Sequence, residues 1–372
     1  MIDFFEPLPE EYSVIALVGL TLLGACVGSF LNVVVYRLPR GMSVQNPPRS
    51  FCPACGAGIP WWLNLPIVSW LWLRGRSACC HKRIPVRYWL VEVACAALFF
   101  VVGWYFCYEG LVTQLALCMW GAAMLALLAM DWEEMVVHPW VAALAACVGL
   151  FVAAMDPTLV EGRAVTPQEG ALWSLAGAGG GYLLFRLVAL CGRLFFGRRK
   201  RVFGGEEAWL LRQVGEDIVL SVAGRDYPWS EVFPEAGGRL VLLEAGVKEL
   251  PGVEAARGEV CLQEEAISLP DGTRHELAGY ERLSGVCRGV VVCREAMGSG
   301  DAWLALAIGA LCGWQGVVFA LVGGSVIGLL FAAAMRVRRG VPMPFGPALI
   351  LAAYVWLFWG PQLVELYLKL AL

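Results

Sequence analysis

The sequence predicts an all-α polytopic membrane protein of about eight transmembrane helices, with a cytoplasmic zinc-binding loop and a small β-rich cytoplasmic insert. Three observations predict it. Of 372 residues, 59% are hydrophobic and 16% charged, and the mean hydropathy is +0.66. A soluble domain averages about 25% charged residues, so too little polar surface remains to cover a water-soluble globule. The apolar residues gather into runs long enough to cross a bilayer, and the charges gather into loops and one polar stretch. The formal net charge of −3 therefore says little.

A span takes about 20 apolar residues. The candidates are 13–36, 88–107, 112–130, 136–154, 171–196, 301–313, 315–335 and 345–371. The sixth is short and glycine-bearing, and Gly313-Trp314-Gln315 marks its boundary with the seventh. The stretch before the first run is acidic, and the run exceeds a signal-peptide core, so it reads as a permanent span. Lys and Arg set the orientation. Loop 37–87 carries Arg37, Arg40, Arg49, Arg74, Arg76, Lys82, Arg83 and Arg87, which makes it cytoplasmic. Arg198 to Arg201 and Arg336, Arg338 and Arg339 fall on the same side if the chain starts outside and crosses eight times. Loop 155–170, opposite, has Asp156, Glu161 and Glu169 against Arg163.

Residues 197–294 do not belong in lipid. They alternate in Asp217-Ile-Val-Leu-Ser-Val and Gly238-Arg-Leu-Val-Leu-Leu, and they turn at Asp271-Gly272, the pattern of short strands. The expected organisation is a first helix at 1–36, a cysteine loop at 37–87, helices two to five at 88–196, the insert at 197–294, and helices six to eight at 295–372. No internal repeat is visible. Lipid is the expected surrounding, and with no basic domain or aromatic-basic module nucleic acid is excluded.

Two acids stand out. Asp131 closes the third run in Met130-Asp131-Trp-Glu-Glu, and Asp301 opens the sixth in Gly298-Ser-Gly300-Asp301. The topology puts both at cytoplasmic ends of their spans. A lone Asp there is most simply a helix cap. A pair at one depth can share a proton, one carboxylate activating water while the other protonates the scissile carbonyl. Gly298 and Gly300 let the backbone turn tightly ahead of Asp301. Glu133 and Glu134 read as solvated loop charges, and His138 as an interfacial structural histidine.

Of fourteen cysteines, Cys26, Cys95, Cys118, Cys147 and Cys312 lie singly in apolar runs and read as small hydrophobes. Cys52-Pro-Ala-Cys55-Gly is a thiolate knuckle that presents two ligands to one metal. Its partner is Ser77-Ala-Cys79-Cys80-His81. Cys80 is the third ligand, and the fourth is Cys79 or His81, neither at the usual spacing from Cys80. The alternative is a reduced thiol group without metal. Zinc would replace the core that a loop of about fifty residues lacks.

Together these residues resemble the type IV prepilin peptidase family (type 4 prepilin leader peptidase/N-methyltransferase). The resemblance runs through Gly28-Ser-Phe-Leu-Asn32-Val-Val-Val-Tyr36-Arg37-Leu-Pro39, Cys52-Pro-Ala-Cys55, Asn64-Leu-Pro66-Ile-Val-Ser69-Trp70-Leu-Trp-Leu-Arg74 and Ile84-Pro-Val-Arg87-Tyr88-Trp-Leu-Val-Glu92. It resumes at Asp131, Glu295-Ala-Met-Gly-Ser-Gly-Asp301 and Pro344-Phe-Gly-Pro347. It implies eight spans, a zinc loop, and catalysis by Asp131 and Asp301 at the cytoplasmic face of a bacterial inner membrane. It further implies cleavage of prepilins or pseudopilins after a leader glycine and N-methylation of the new N-terminus with S-adenosylmethionine. Cys52, Cys55 and Cys80 align with family cysteines. Asn32, Arg37, Asn64, Arg74, Arg87 and Glu92 are candidates for methyl transfer or for packing the loop on the spans; no Gly-rich nucleotide loop is visible. Ser77 stands where the third family cysteine is usual, Trp303 where a Lys often follows the Gly-x-Gly-Asp, and His138 where Pro is usual.

Two rival readings share parts of this pattern. An intramembrane aspartyl protease acting on ordinary membrane helices would not need the Cys52 loop. A non-catalytic transporter or scaffold would use the acids to bind cations or protons.

Overall fold

Runs of apolar residues without proline satisfy their backbone polar groups within one helix, the only solution open to a single segment in lipid. The computed structural model describes residues 14–159, 166–196, 198–214, 217–233, 239–247, 257–263, 266–277, 280, 282–293, 298–336 and 343–371. They fall into two units, Met1–Phe185 with Ser299–Leu372, and Arg186–Gly298.

The first unit is helical. Its elements are α1 (Val14–Arg37), a 3-10 turn at Trp61–Asn64, the short α2 (Val68–Trp72), α3 (Val86–Tyr105), α4 (Leu111–Glu134), α5 (Pro139–Met155) and most of α6 (Pro167–Phe196). After the second unit, with its one-turn α7 (Trp229–Val232), come α8 (Ser299–Ala334) and α9 (Gly346–Ala371). Among the described residues six helices are long and apolar enough to span, namely α1, α3, α4, α6, α8 and α9. The predicted runs reappear, but α5 has only 17 residues, and the sixth and seventh runs fall within one helix. That helix is broken at Gly313, whose φ of 65° and ψ of −175° are not helical.

Small residues let these helices touch. A Cβ on Gly28 of α1 would stand 2.8 Å from the Glu92 Cα of α3, and one on Gly149 of α5 would stand 3.0 Å from Ala310 of α8. Gly177 of α6 and Gly309 of α8 each lie against the other's carbonyl oxygen. Such close backbone approach is what holds helices together where lipid removes the hydrophobic drive. Two side chains fix the register of α4: Trp120 Nε1 donates to the Ala307 carbonyl at 3.1 Å, and the Tyr354 hydroxyl donates to the Gly121 carbonyl at 2.6 Å. Cys95, Cys118 and Cys312 are buried small hydrophobes, whereas Cys26 and Cys147 face outward.

The second unit is an antiparallel sheet in the order β3-β2-β1-β8-β4-β5-β6-β7. Its strands are β1 (Arg198–Val214), β2 (Asp217–Val222), β3 (Arg225–Pro228), β4 (Arg239–Val247), β5 (Gly258–Leu262), β6 (Ala266–Ser268), β7 (Arg274–Glu276) and β8 (Arg282–Cys293). Alternate residues such as Trp209 and Leu211, or Leu240 and Leu242, enter one core with Leu262, Ile267 and Leu283. The Asp271-Gly272 turn forms as its residues dictate: Gly272 takes φ 86° and Asp271 Oδ1 accepts the Thr273 N–H at 2.8 Å.

Candidate active site and metal centre

Asp131 lies in the last turns of α4, which Met135 ends in a left-handed conformation with its N–H on the Asp131 carbonyl at 3.0 Å. The Asp131 side chain is 6% exposed. Its Oδ2 accepts the N–H of Gly346, the first residue of α9, at 2.9 Å. That N–H has no acceptor within its own helix, and the positive end of the α9 dipole faces the carboxyl group. A Cβ on Gly346 would stand 2.6 Å from Asp131 Oδ2 and 2.8 Å from Leu304 Cδ1.

Leu304 is one turn beyond Asp301, which sits in the first turn of α8 and is 8% exposed. Gly300 permits a second close approach: a Cβ there would stand 2.7 Å from Val137 Cβ, in the connection that follows α4. Around Gly346 and Val137 the starts of α8 and α9 thus meet the end of α4, each of α4 and α8 contributing a buried carboxyl group. Gly298 is exposed just ahead of α8, and the Glu295-Ala-Met part of the motif lies outside the described residues. Trp303 packs edge-on against Tyr182 of α6, with ring centroids 5.5 Å apart. His138 stands at the N-cap position of α5 ahead of Pro139, with no capping hydrogen bond from its side chain.

Glu133 and Glu134 are exposed charges, but they close α4 rather than lie in a loop, and each has a partner. Glu134 pairs with Arg40 at 2.5 Å, and Glu133 with Arg87 at 2.5 Å. The second contact lies off the Arg87 N–H direction, an ion pair without an aligned hydrogen bond. Through these pairs the end of α4 holds both the loop after α1 and the start of α3. The sequence does not show the pairing of Arg40 with Glu134 or the role of Gly346; for the latter, a Gly-Pro pair opening an apolar run was the available signal.

The thiol loop contains a repeat that the sequence does not show. Cys52 donates its N–H to the Ala57 carbonyl and Gly56 donates to the Cys52 carbonyl, both at 2.8 Å, with Gly56 at φ +73°. Twenty-five residues on, Ser77 donates to the Lys82 carbonyl at 2.9 Å and His81 to the Ser77 carbonyl at 3.0 Å, with His81 at φ 57°. Ser77 therefore occupies the place of Cys52, and His81 that of the turn glycine Gly56. The sulfurs of Cys52, Cys55, Cys79 and Cys80 all lie within 4.8 Å of one another, and His81 is not in this group. Cys52 and Cys80 are 3.7 Å apart and Cys55 and Cys79 3.3 Å. Tetrahedral zinc with bonds of about 2.3 Å sets its sulfurs about 3.8 Å apart, so the donor set fits. The Ser77 hydroxyl, 3.1 Å from Cys80 Sγ, and then the Lys82 backbone N–H pull the Cys80 thiol down to about 6, toward the thiolate that binds metal.

Between this cluster and the start of α3 lies a cavity of about 480 Å³, lined by Asn32, Arg37, Asn64, Arg87, Glu92 and Glu133 among others. Arg74 does not line it; it turns left-handed, φ 50°, at an exposed corner. The Arg37 guanidinium is spent on the loop, donating to the carbonyls of Ser43, Val44, Pro47 and Arg49 at 2.8–3.2 Å. Asn32 Nδ2 donates to the Tyr88 carbonyl at 2.9 Å, and Glu92 accepts the Ile67 N–H at 2.6 Å. Asn32 Oδ1 and Arg87 Nη1 are buried with no hydrogen-bond partner among the described residues.

The fold and site define a multi-pass membrane protein with two buried acids at helix ends and a four-thiol cluster. Residues 22–106 match the Bacterial Peptidase A24 N-terminal domain, and residues 280–333 match the Type IV leader peptidase family. Both matched segments are thus similar to domains of that family of prepilin peptidases. The protein is 25% identical, over all of the chain and 98% of the relative, to a prepilin leader peptidase/N-methyltransferase of Stutzerimonas stutzeri. A protein of the same description from Pseudomonas putida is 28% identical over 92% of the chain and 90% of its own length. Another, from Myxococcus xanthus, is 34% identical over 56% of the chain and 58% of its own length. No solved structure matches.

Proposed function

We propose that the protein cleaves the leader peptides of type IV prepilins or pseudopilins by an aspartyl protease mechanism and N-methylates the N-terminus it exposes. The observation that carries the hydrolytic half is the pair of buried acids, Asp131 and Asp301, at helix ends drawn together around Gly346. One ionised carboxylate takes a proton from water; its protonated partner donates to the scissile carbonyl; no covalent intermediate forms. The Gly346 N–H fixes Asp131 Oδ2, which leaves the other oxygen for water. The site lies at the cytoplasmic face of a bacterial inner membrane. Eight crossings support that placement, with α5 counted and α8 divided at Gly313, because they put the ends of α1, α4 and α6 on the side of the basic loops.

Cys52, Cys55, Cys79 and Cys80 hold structural zinc, which fixes the loop over the spans. S-adenosylmethionine supplies an electrophilic methyl group. Its zwitterionic end matches groups that line the cavity: Arg87, whose Nη1 has no hydrogen-bond partner among the described residues, for the carboxylate, and Asn32 Oδ1, likewise without one, with Glu92 for the ammonium group. Arg37 and Arg74 hold or turn the loop instead.

The test is purified protein incubated with a prepilin and the methyl donor. Asp131→Asn and Asp301→Asn each abolish leader release; cleavage at the wild-type rate by either one refutes the mechanism. Mass measurement of the mature N-terminus decides the methyl transfer, and only unmodified product would remove that half.

A further inference from the structure

One segment lends its inner face to the cavity, but its outer face is used by neither activity. Residues 60–73, Pro-Trp-Trp-Leu-Asn-Leu-Pro-Ile-Val-Ser-Trp-Leu-Trp-Leu, lie outside every span and carry no charge. Trp61 is 76% exposed and Trp72 82%, and Trp62, Leu65, Val68 and Leu71 are exposed beside them. A soluble loop does not present an apolar patch of this kind without something to cover it.

The packing of the segment says where it lies. Its Ile67 N–H donates to Glu92 at 2.6 Å, six residues inside α3, or about 9 Å along the helix from its start. Trp70 packs on Trp89 of α3 with ring centroids 5.9 Å apart, and donates weakly to the Ile84 carbonyl at 3.4 Å. Ser69 is buried while its neighbours on the other side are not. One face is therefore fastened along the first turns of a spanning helix, and the other is bare. Val86 and Leu90 of α3 are exposed as well, so the bare apolar surface continues from the helix onto the segment.

We propose that residues 60–73 form a wedge embedded in the cytoplasmic leaflet of the membrane, its tryptophans among the lipid headgroups. This rests on the reading of the chain as a membrane protein. The chemistry suits lipid. Trp favours the membrane–water interface, and amphipathic segments there bury one face about 5–10 Å deep, matching the depth at which Ile67 meets Glu92. Exposed Arg74, Arg76, Lys82 and Arg83 follow the wedge, where anionic headgroups attract them. Glu92 then has a structural reason to sit inside a span: it accepts a backbone N–H that the turn at Ile67, φ 64°, leaves without a helical partner. The wedge fixes the height of the thiol loop against the bilayer.

The experiment places p-benzoylphenylalanine singly at Trp61, Trp72, Leu22 or Val202 in full-length protein. The protein is reconstituted in nanodiscs of phosphatidylethanolamine and phosphatidylglycerol, irradiated, and examined for adducts by mass spectrometry. Leu22 is 63% exposed in mid-α1, and Val202 is 63% exposed in the sheet. Lipid adducts at Trp61 and Trp72 comparable with those at Leu22, and absent at Val202, are expected. Adducts at Leu22 but not at the two tryptophans overturn the wedge alone. Their absence at Leu22 too overturns the membrane reading with it. Crosslinks from Trp61 and Trp72 to a second copy, or to an added prepilin peptide in place of lipid, also overturn the wedge. These positions are exposed, so the probe tests location without removing a packed side chain.

Discussion

Gly346→Ala separates the geometry of the acid pair from the chemistry of its members. The new methyl group would stand 2.6 Å from Asp131 Oδ2 and 2.8 Å from Leu304 Cδ1, well inside van der Waals contact. Both atoms are ends of side chains, so the fold can yield, and overpacking of this kind costs about 1–3 kcal/mol. What yields, however, is the Asp131 carboxylate together with the hydrogen bond that orients it. A displacement of about 1 Å at a reacting group lowers the rate about 10²-fold, or about 2.7 kcal/mol of barrier. Leader release from a prepilin should therefore fall about 10²-fold in kcat/KM while the protein still folds and spans the membrane. The control is Gly323→Ala, where the nearest atom to the new Cβ is 3.4 Å away and no rate change is expected. Cleavage at the wild-type rate by Gly346→Ala would refute the idea that this contact sets the catalytic geometry.

Other perturbations follow from the same packing. Wild type should hold about one zinc per chain by elemental analysis. Cys79→Ser should lose it, and Ser77→Cys added to Cys79→Ser should restore it by returning a thiol to the place that mirrors Cys52; metal retained by Cys79→Ser alone would break the assignment. Arg37→Ala uncovers four loop carbonyls and should cost on the order of 3 kcal/mol in denaturant melts, whereas exposed Arg74→Ala should cost little. Glu109 lies outside the spans, where its hydrogen bond with Asp156, then burial, push its carboxyl up to about 7. A raised carboxyl favours the folded state while protonated, so its contribution is complete below its ordinary 4.5 and lost as pH rises toward 7. The thermal midpoint should drop over that window, and Glu109→Gln should flatten the drop; an equal drop in both would exclude this pair as its cause.

Much of this was legible in the sequence because it is written in local patterns. Apolar runs gave the helices, and alternation in Asp217 to Val222 gave a strand. The Cys-x-x-Cys-Gly knuckle gave a turn whose glycine takes a positive φ. Its partner at Ser77 to His81 was placed by the sequence, but its turn was not, because Ser77 and His81 stand where the knuckle has a cysteine and a glycine. Only the backbone hydrogen bonds show the repeat, and they explain why Cys79 joins the cluster and His81 does not. Contacts between distant segments were equally illegible. Nothing around Glu133 and Glu134 names Arg87 and Arg40 as their partners, because the pairing depends on helix ends meeting in space. The division of α8 was marked by Gly313 in the sequence, and its cause is conformational: φ 65° is open to glycine at little cost.

The two proposed chemistries share one structural element. Asp131 is followed within three residues by Glu133 and Glu134, whose partners Arg87 and Arg40 both line the cavity beside the thiol loop. Cleavage leaves a free amine near Asp131, and the residues that close α4 lead from there to the cavity wall. A product would then need only a short shift along the membrane surface rather than release and recapture. Glu133→Gln tests this coupling. It weakens the link to Arg87 but leaves Asp131 and its Gly346 N–H in place, so cleavage should persist while methylation of the freshly cut N-terminus declines. Equal losses in the two rates would mean that the end of α4 serves the acid pair alone.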